Sequence, residues 1–185
     1  MAKRRLNPAV VVAEAALLVD EQGRDELSLG GLAERLGVQP SALYNHVDGI
    51  DDLRHELAVL ATTNLADALR AALVARSGTE AVRAISGAHR RFAHEHPGQY
   101  ASTLLPPVDR GDDLATAQEA VTDLFVLLMQ SSGLEGDDAV HTARLVRSAL
   151  HGFVSLESIE ALTQPQDRDL SFERLVDMLL AHLPD

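Results

Sequence analysis

Gln39, Ser41 and Asn45 lie close together in a stretch, Gly37 to Val47, that contains no aspartate or glutamate. A carboxamide carries a donor beside an acceptor, which matches the two adjacent edge atoms of adenine in a DNA major groove. A serine hydroxyl serves either a base or a phosphate. The chemistry these types offer is recognition by hydrogen bonding, with no bond made or broken. Lys3, Arg4 and Arg5 add a basic arm suited to the phosphate backbone or the minor groove.

Such groups need a rigid mount, and the flanking residues predict one. Leu29, Leu32, Ala33 and Leu36 recur at helical spacing. Ser28 stands before them as an N-cap, its oxygen placed to accept a first-turn amide. Gly37 follows the stripe, where a left-handed conformation ends a helix. Pro40 suits the first position of a second short helix, since its missing N–H would be unpaired there in any case. In that helix Leu43 and Val47, at i and i+4, face inward and leave Gln39, Ser41 and Asn45 outward. Helix, glycine turn and second helix make a helix-turn-helix.

Gly23, Leu27-Ser28-Leu29, Leu32-Ala33, Leu36-Gly37-Val38, Leu43-Tyr44-Asn45-His46-Val47 and Leu53 together resemble the TetR family of bacterial transcriptional regulators. The Gly-Val-x-x-x-x-Leu-Tyr-x-His spacing is the specific part, and the likeness covers residues 7–55. A looser one, Ala149 to Glu157, is similar to a motif of the family's ligand-binding domains. The resemblance implies base contacts from the second short helix and its N-terminal flank, and backbone contacts from Tyr44 and His46. It implies a phosphate contact from Ser28 as well. It further implies a repressor that binds double-stranded DNA as a homodimer and responds to a small-molecule effector. Two half-sites of a palindrome would then be spaced by whole helical turns. The sequence departs from the family where Gln39 replaces the usual hydroxyl cap and Ala42 a hydroxyl or glycine. Ile50 replaces a phosphate-anchoring lysine, and Asp48 adds a negative charge nearby. Gly30 and Gly31 weaken the first short helix, each by roughly 1 kcal/mol relative to alanine.

The net charge of −12 is unusual for a nucleic-acid partner, whose phosphates favour basic faces. Residues 1–50 hold five Lys and Arg against seven Asp and Glu, and the rest of the chain eleven against twenty-one. Acidity is thus concentrated outside the helix-turn-helix. Hydrophobic residues make up 46% but aromatics only 3%, so the core is built from Ala, Leu and Val, as suits close-packed helices. With no cysteine, disulfide frameworks and thiolate zinc sites are excluded. No apolar run reaches bilayer length and the first residues lack a signal-peptide core, so a soluble, cytoplasmic chain without a membrane partner is expected.

A first helix is expected from Asn7 or Pro8 to about Gln22. A long one follows from Asp51 to Ser77-Gly78, then helices near 80–94, 112–131, 137–161 and 171–182. His96-Pro97-Gly98 and the other Pro and Gly groups read as separators. The fold class is all-α: an N-terminal three-helix helix-turn-helix domain (1–50), then a helical ligand-binding and dimerisation bundle (51–185). His89, Phe92, Phe125 and Met129 are the candidates to line an apolar pocket between bundle helices. Surplus apolar surface at Val146, Leu150, Phe153, Val154, Phe172, Val176 and Leu179 marks the last two helices, which in the family pair with their copies. His89, Arg90, Arg91, His94 and His96 form a cluster that could bind a metal or an anion, but its histidines read as surface or helix-terminal groups. No Glu-x-x-His, His-Glu-x-x-His, Walker, Gly-x-Gly-x-x-Gly or Gly-x-Ser-x-Gly pattern occurs, so no catalytic constellation and no cofactor are expected. The alternative readings are a helical ligand- or partner-binding module without DNA engagement, which the acidic surface favours, and a helical enzyme.

Overall fold

The computed structural model describes residues 6–104 and 113–184, and every regular element among them is helical. Lys3, Arg4 and Arg5 lie outside the described residues. The order is α1 (Pro8–Gln22), a 3-10 turn (Arg24–Glu26), α2 (Leu29–Leu36), α3 (Pro40–Leu43) and α4 (Ile50–Leu73). Then come α5 (Gly78–Glu95), α6 (Pro97–Ser102), α7 (Asp113–Ser131), α8 (Gly136–Ser158) and α9 (Arg168–Leu180). Local chemistry accounts for many of the ends. Asn7 Oδ1 accepts from the Val10 amide at 2.9 Å, with Pro8 in the first turn. Asp167 does the same for Asp169 and Leu170 at the start of α9. Asp52 reaches back from the first turn of α4 to accept the Asp48 amide at 2.8 Å.

The chain forms two compact units, and they do not divide at residue 50. One comprises Met1–Asn64 and Glu95–Gln118; the other comprises Leu65–His94 and Glu119–Asp185. The cause is that α4 continues unbroken to Leu73, while α6 belongs with the N-terminal residues. The first unit's core joins Val11, Ala15, Val19, Leu32, Leu43, Val47, Leu53 and Leu57, with Ile50 packed at its edge. The second unit's core includes Ile85, Phe125, Met129, Val146, Leu150 and Val154.

Helix α6 is the main departure from the sequence expectation. His96-Pro97-Gly98 reads as a break, yet Pro97 takes the first turn of a helix, where its lost N–H does no harm. Six residues are too few to hold a helix alone in water, so tertiary contact sustains it. His96, at the N-cap position, gives no side-chain cap. Asp20 of α1 does so instead: Oδ1 accepts from the Gln99 amide at 2.9 Å, and Oδ2 accepts from Gln99 Nε2 at 2.6 Å and lies 3.0 Å from His96 Nδ1. Asn64 donates to Gln99 Oε1 at 2.8 Å. Gly98 lies so close against α1 that a Cβ there would fall on the Val19 carbonyl and 2.8 Å from the Asp20 nitrogen.

Candidate nucleic-acid interface

Ser28 caps α2 by accepting the Gly31 amide at 3.2 Å. Gly37 then adopts φ 66°, and its amide and that of Val38 return to Glu34 and Ala33 carbonyls, closing the helix. The two glycines do not prevent α2, because Leu32 and Ala33 are fully buried against the core and packing outweighs propensity. Gly31 has a local reason as well: a Cβ there would crowd the Ser28 hydroxyl at 3.2 Å. Pro40 opens α3 without a side-chain cap from Gln39, as the missing hydroxyl implied. The helix is short, and its winding persists through bonds from His46 and Val47 to the Leu43 carbonyl.

Leu43 at 0% and Val47 at 3% exposure lock this segment to the core. Gln39, Pro40, Ser41, Tyr44 and Asn45 are exposed and His46 is half-buried. The structure therefore brings six of the sequence candidates onto one short segment, with Tyr44 59% exposed despite its large ring. Its ring face and hydroxyl are open to solvent on a turn that Leu43 and Val47 hold rigid. Ser28, also exposed, keeps its hydroxyl proton to donate while its oxygen accepts the cap bond.

The cations of this unit behave differently. Arg35 bonds Glu14 at 2.5 Å and Glu21 at 2.5 and 2.9 Å. The Glu21 bond, then the Glu14 bond, hold its guanidinium above the ordinary arginine pKa. Arg24 lies 3.6 Å from Asp25, and Arg54 3.5 Å from Asp51. Among the described residues 6–64, every Lys or Arg has a carboxylate neighbour. Ile50, at the position of the family's lysine, packs on the core.

The second unit holds the ligand candidates. His89, Phe92, Phe125 and Met129 are all buried, and the His89 ring meets Phe125 edge-on at 6.4 Å. Burial first, then His151 and Arg147, bring the His89 pKa down to about 4. The unfolded chain binds that proton near 6.5, so between these values it holds more protons than the folded state. Stability from this group is complete above about pH 6.5 and falls on acidification to about pH 4, by on the order of 3 kcal/mol. In urea melts, His89→Phe is expected to flatten that slope relative to wild type.

The histidine cluster of the sequence is dispersed. His89 is in the core, His96 faces Asp20, and His94 lies 2.7 Å from Glu157. Arg90 stands in the same cluster of the sequence. It is largely buried, bonding Glu157 at 3.0 and 2.6 Å and Asp169 at 2.7 Å. Its guanidinium carbon lies 4.8 Å from the Phe172 ring centre and 5.7 Å from that of Phe153.

The dimerisation candidates differ in exposure within the chain. Val146, Leu150, Val154, Phe172 and Val176 are buried in the chain's own core, and Phe153 and Leu179 are half-buried. A side chain already out of water has little surface left to bury against a copy. The outward side of α8 instead carries Leu145 at 67% and Leu156 at 46% exposure, with Ile159 at 72% just past its end.

Fold and exposed segment together define a helix-turn-helix protein. Residues 82–179 match the family model for the tetracyclin repressor-like C-terminal domain. An uncharacterised HTH-type transcriptional regulator of Mycobacterium tuberculosis is 33% identical over 179 residues, covering 96% of this chain and 81% of that protein. Another, from Bacillus subtilis, is 34% identical over 169 residues, covering 90% and 88%. A crystal structure of a TetR variant from Acinetobacter baumannii with minocycline superposes with a TM-score of 0.65 at 23% identity, covering 96% of each chain. The chain belongs to the TetR family of DNA-binding transcriptional regulators, and its relatives are regulators rather than enzymes.

Proposed function

We propose that the chain is a homodimeric repressor that reads a palindromic operator through α3 and releases it when a small apolar molecule binds the second unit. The exposed set Gln39, Ser41, Tyr44 and Asn45 on a segment pinned by Leu43 and Val47 carries this reading. Gln39, Ser41 and Asn45 reach base edges; Ser28, Tyr44 and His46 fix the register on phosphates. The outward α8 side, with Leu145, Leu156 and Ile159, supplies the surface for the second copy, in place of the buried residues named from sequence. The effector would lie among the apolar groups around Phe125 and Met129; the Acinetobacter protein of the same fold was crystallised in complex with a small molecule, minocycline. The effector acts by favouring the conformation whose recognition helices no longer match the half-sites. In sequence α5 leads through His96 into α6, the helix that Asp20 ties to α1.

With the other cations of residues 6–64 beside carboxylates, phosphate neutralisation falls to Lys3, Arg4 and Arg5. Replacing these three by alanine is expected to weaken binding to all sequences alike and to lower the slope of log affinity against log salt by about 3 per protomer. A salt titration by fluorescence anisotropy reads this. A wild-type slope near zero would instead support a module that does not engage DNA.

A further inference from the structure

The first unit contains a cavity of about 280 Å³ lined by Arg24, Asp25, Arg54, Leu57 and Ser102, contributed by the 3-10 turn, α4 and α6. We propose that it is a binding site for a small monocarboxylate with an apolar body, its two oxygens bridging the Arg24 and Arg54 guanidiniums and its body lying on Leu57. The lining residues all belong to the first unit, and the proposal does not rest on the DNA-binding reading.

Two arginines from different elements line one cavity, and a planar guanidinium pairs best with a carboxylate. Their present partners are weak competitors. Arg24 meets Asp25 at 3.6 Å and Arg54 meets Asp51 at 3.5 Å, with those aspartates 94% and 71% exposed. Such long, solvated pairs contribute little, and a bidentate bond near 2.8 Å displaces them. Arg24 is nonetheless held in place, since its Nη1 donates to the Ala101 carbonyl at 3.4 Å. Ser102 is 1% exposed and donates its hydroxyl to the Gly98 carbonyl at 2.8 Å, so it offers only an acceptor to a ligand. Leu57, 1% exposed, supplies an apolar wall. Asp25 at the rim disfavours a dianion, which selects a carboxylate over a phosphate. The volume falls at the small end for ligand pockets, which limits the occupant to a compact acid.

Calorimetric titration of the full chain at low ionic strength with benzoate, benzamide and inorganic phosphate tests the site. Benzoate is expected to bind one-to-one at roughly millimolar strength. Benzamide, its neutral isostere, and phosphate should each bind at least about tenfold more weakly. Arg24→Gln and Arg54→Gln should each reduce benzoate affinity about tenfold or more. Arg54→Lys, which retains the charge and loses the fork, should fall between wild type and Arg54→Gln, and it serves if a glutamine variant does not fold. Equal binding of benzoate and benzamide, preference for phosphate, or unchanged affinity in folded arginine variants would overturn the proposal.

Discussion

Glu157→Ala is expected to lower the melting temperature by about 10 °C, a loss of roughly 3–5 kcal/mol. Glu157 joins three elements. Its carboxylate takes two bonds from Arg90 of α5 and one contact from His94, while Arg90 also reaches Asp169 of α9 and lies over Phe172 and Phe153. The two side chains are 7% and 15% exposed, so removing one leaves the other charged and poorly solvated. The solvent-facing Asp169 compensates only in part. The pair itself is worth less than its breakage suggests, so Arg90→Met combined with Glu157→Leu should lose less than the two single changes added together. Acid acts on the same link. Arg90 first, and then His94, hold the Glu157 pKa below the usual carboxylate range. The unfolded chain therefore takes up this proton first as pH falls. The stability it supplies is complete above the unfolded value and is lost on descent through the folded one.

Gly98→Ala is the second large effect, a loss of about 3 kcal/mol or more, because the added carbon meets backbone of α1 rather than a side chain that could swing away. To relieve the overlap α6 must lift, and the three Asp20 contacts to Gln99 and His96 lengthen with it. Hydrogen exchange at the Gln99 amide should accelerate along with the drop in melting temperature. Gly87→Ala in α5 provides the contrast. A Cβ there meets nothing within 4 Å, so the change is expected to be neutral or stabilising by about 0.5–1 kcal/mol.

The helix-turn-helix was legible because its signals are local. Ser28, Gly37 and Pro40 act on amides a few residues away, and the inward set Leu32, Ala33, Leu43 and Val47 repeats at short range. Helix α6 was not legible, since what holds it is an aspartate 79 residues earlier in the chain. The same applies to Arg90, whose partner is 67 residues away and whose environment no local pattern reveals. Periodicity found the apolar stripes of α8 and α9 but could not say which side faces inward. Val146, Leu150 and Val154 proved internal, and the thinner set Leu145, Leu156 and Ile159 faces water. One available signal was missed: Glu157 closes the Ala149 to Glu157 motif, and an acid ending an apolar run asks for a basic partner.

We propose that the exposed segment from Gln39 to His46 binds the operator. Fluorescence anisotropy with the chain's own upstream DNA and a scrambled duplex, at low salt, tests it most directly. Wild type should retain the upstream sequence selectively. The Tyr44→Ala/His46→Ala variant should lose that retention while keeping the wild-type oligomeric state and melting temperature. Equal affinity for both duplexes in wild type, or undiminished selective binding by the double variant, would contradict the account.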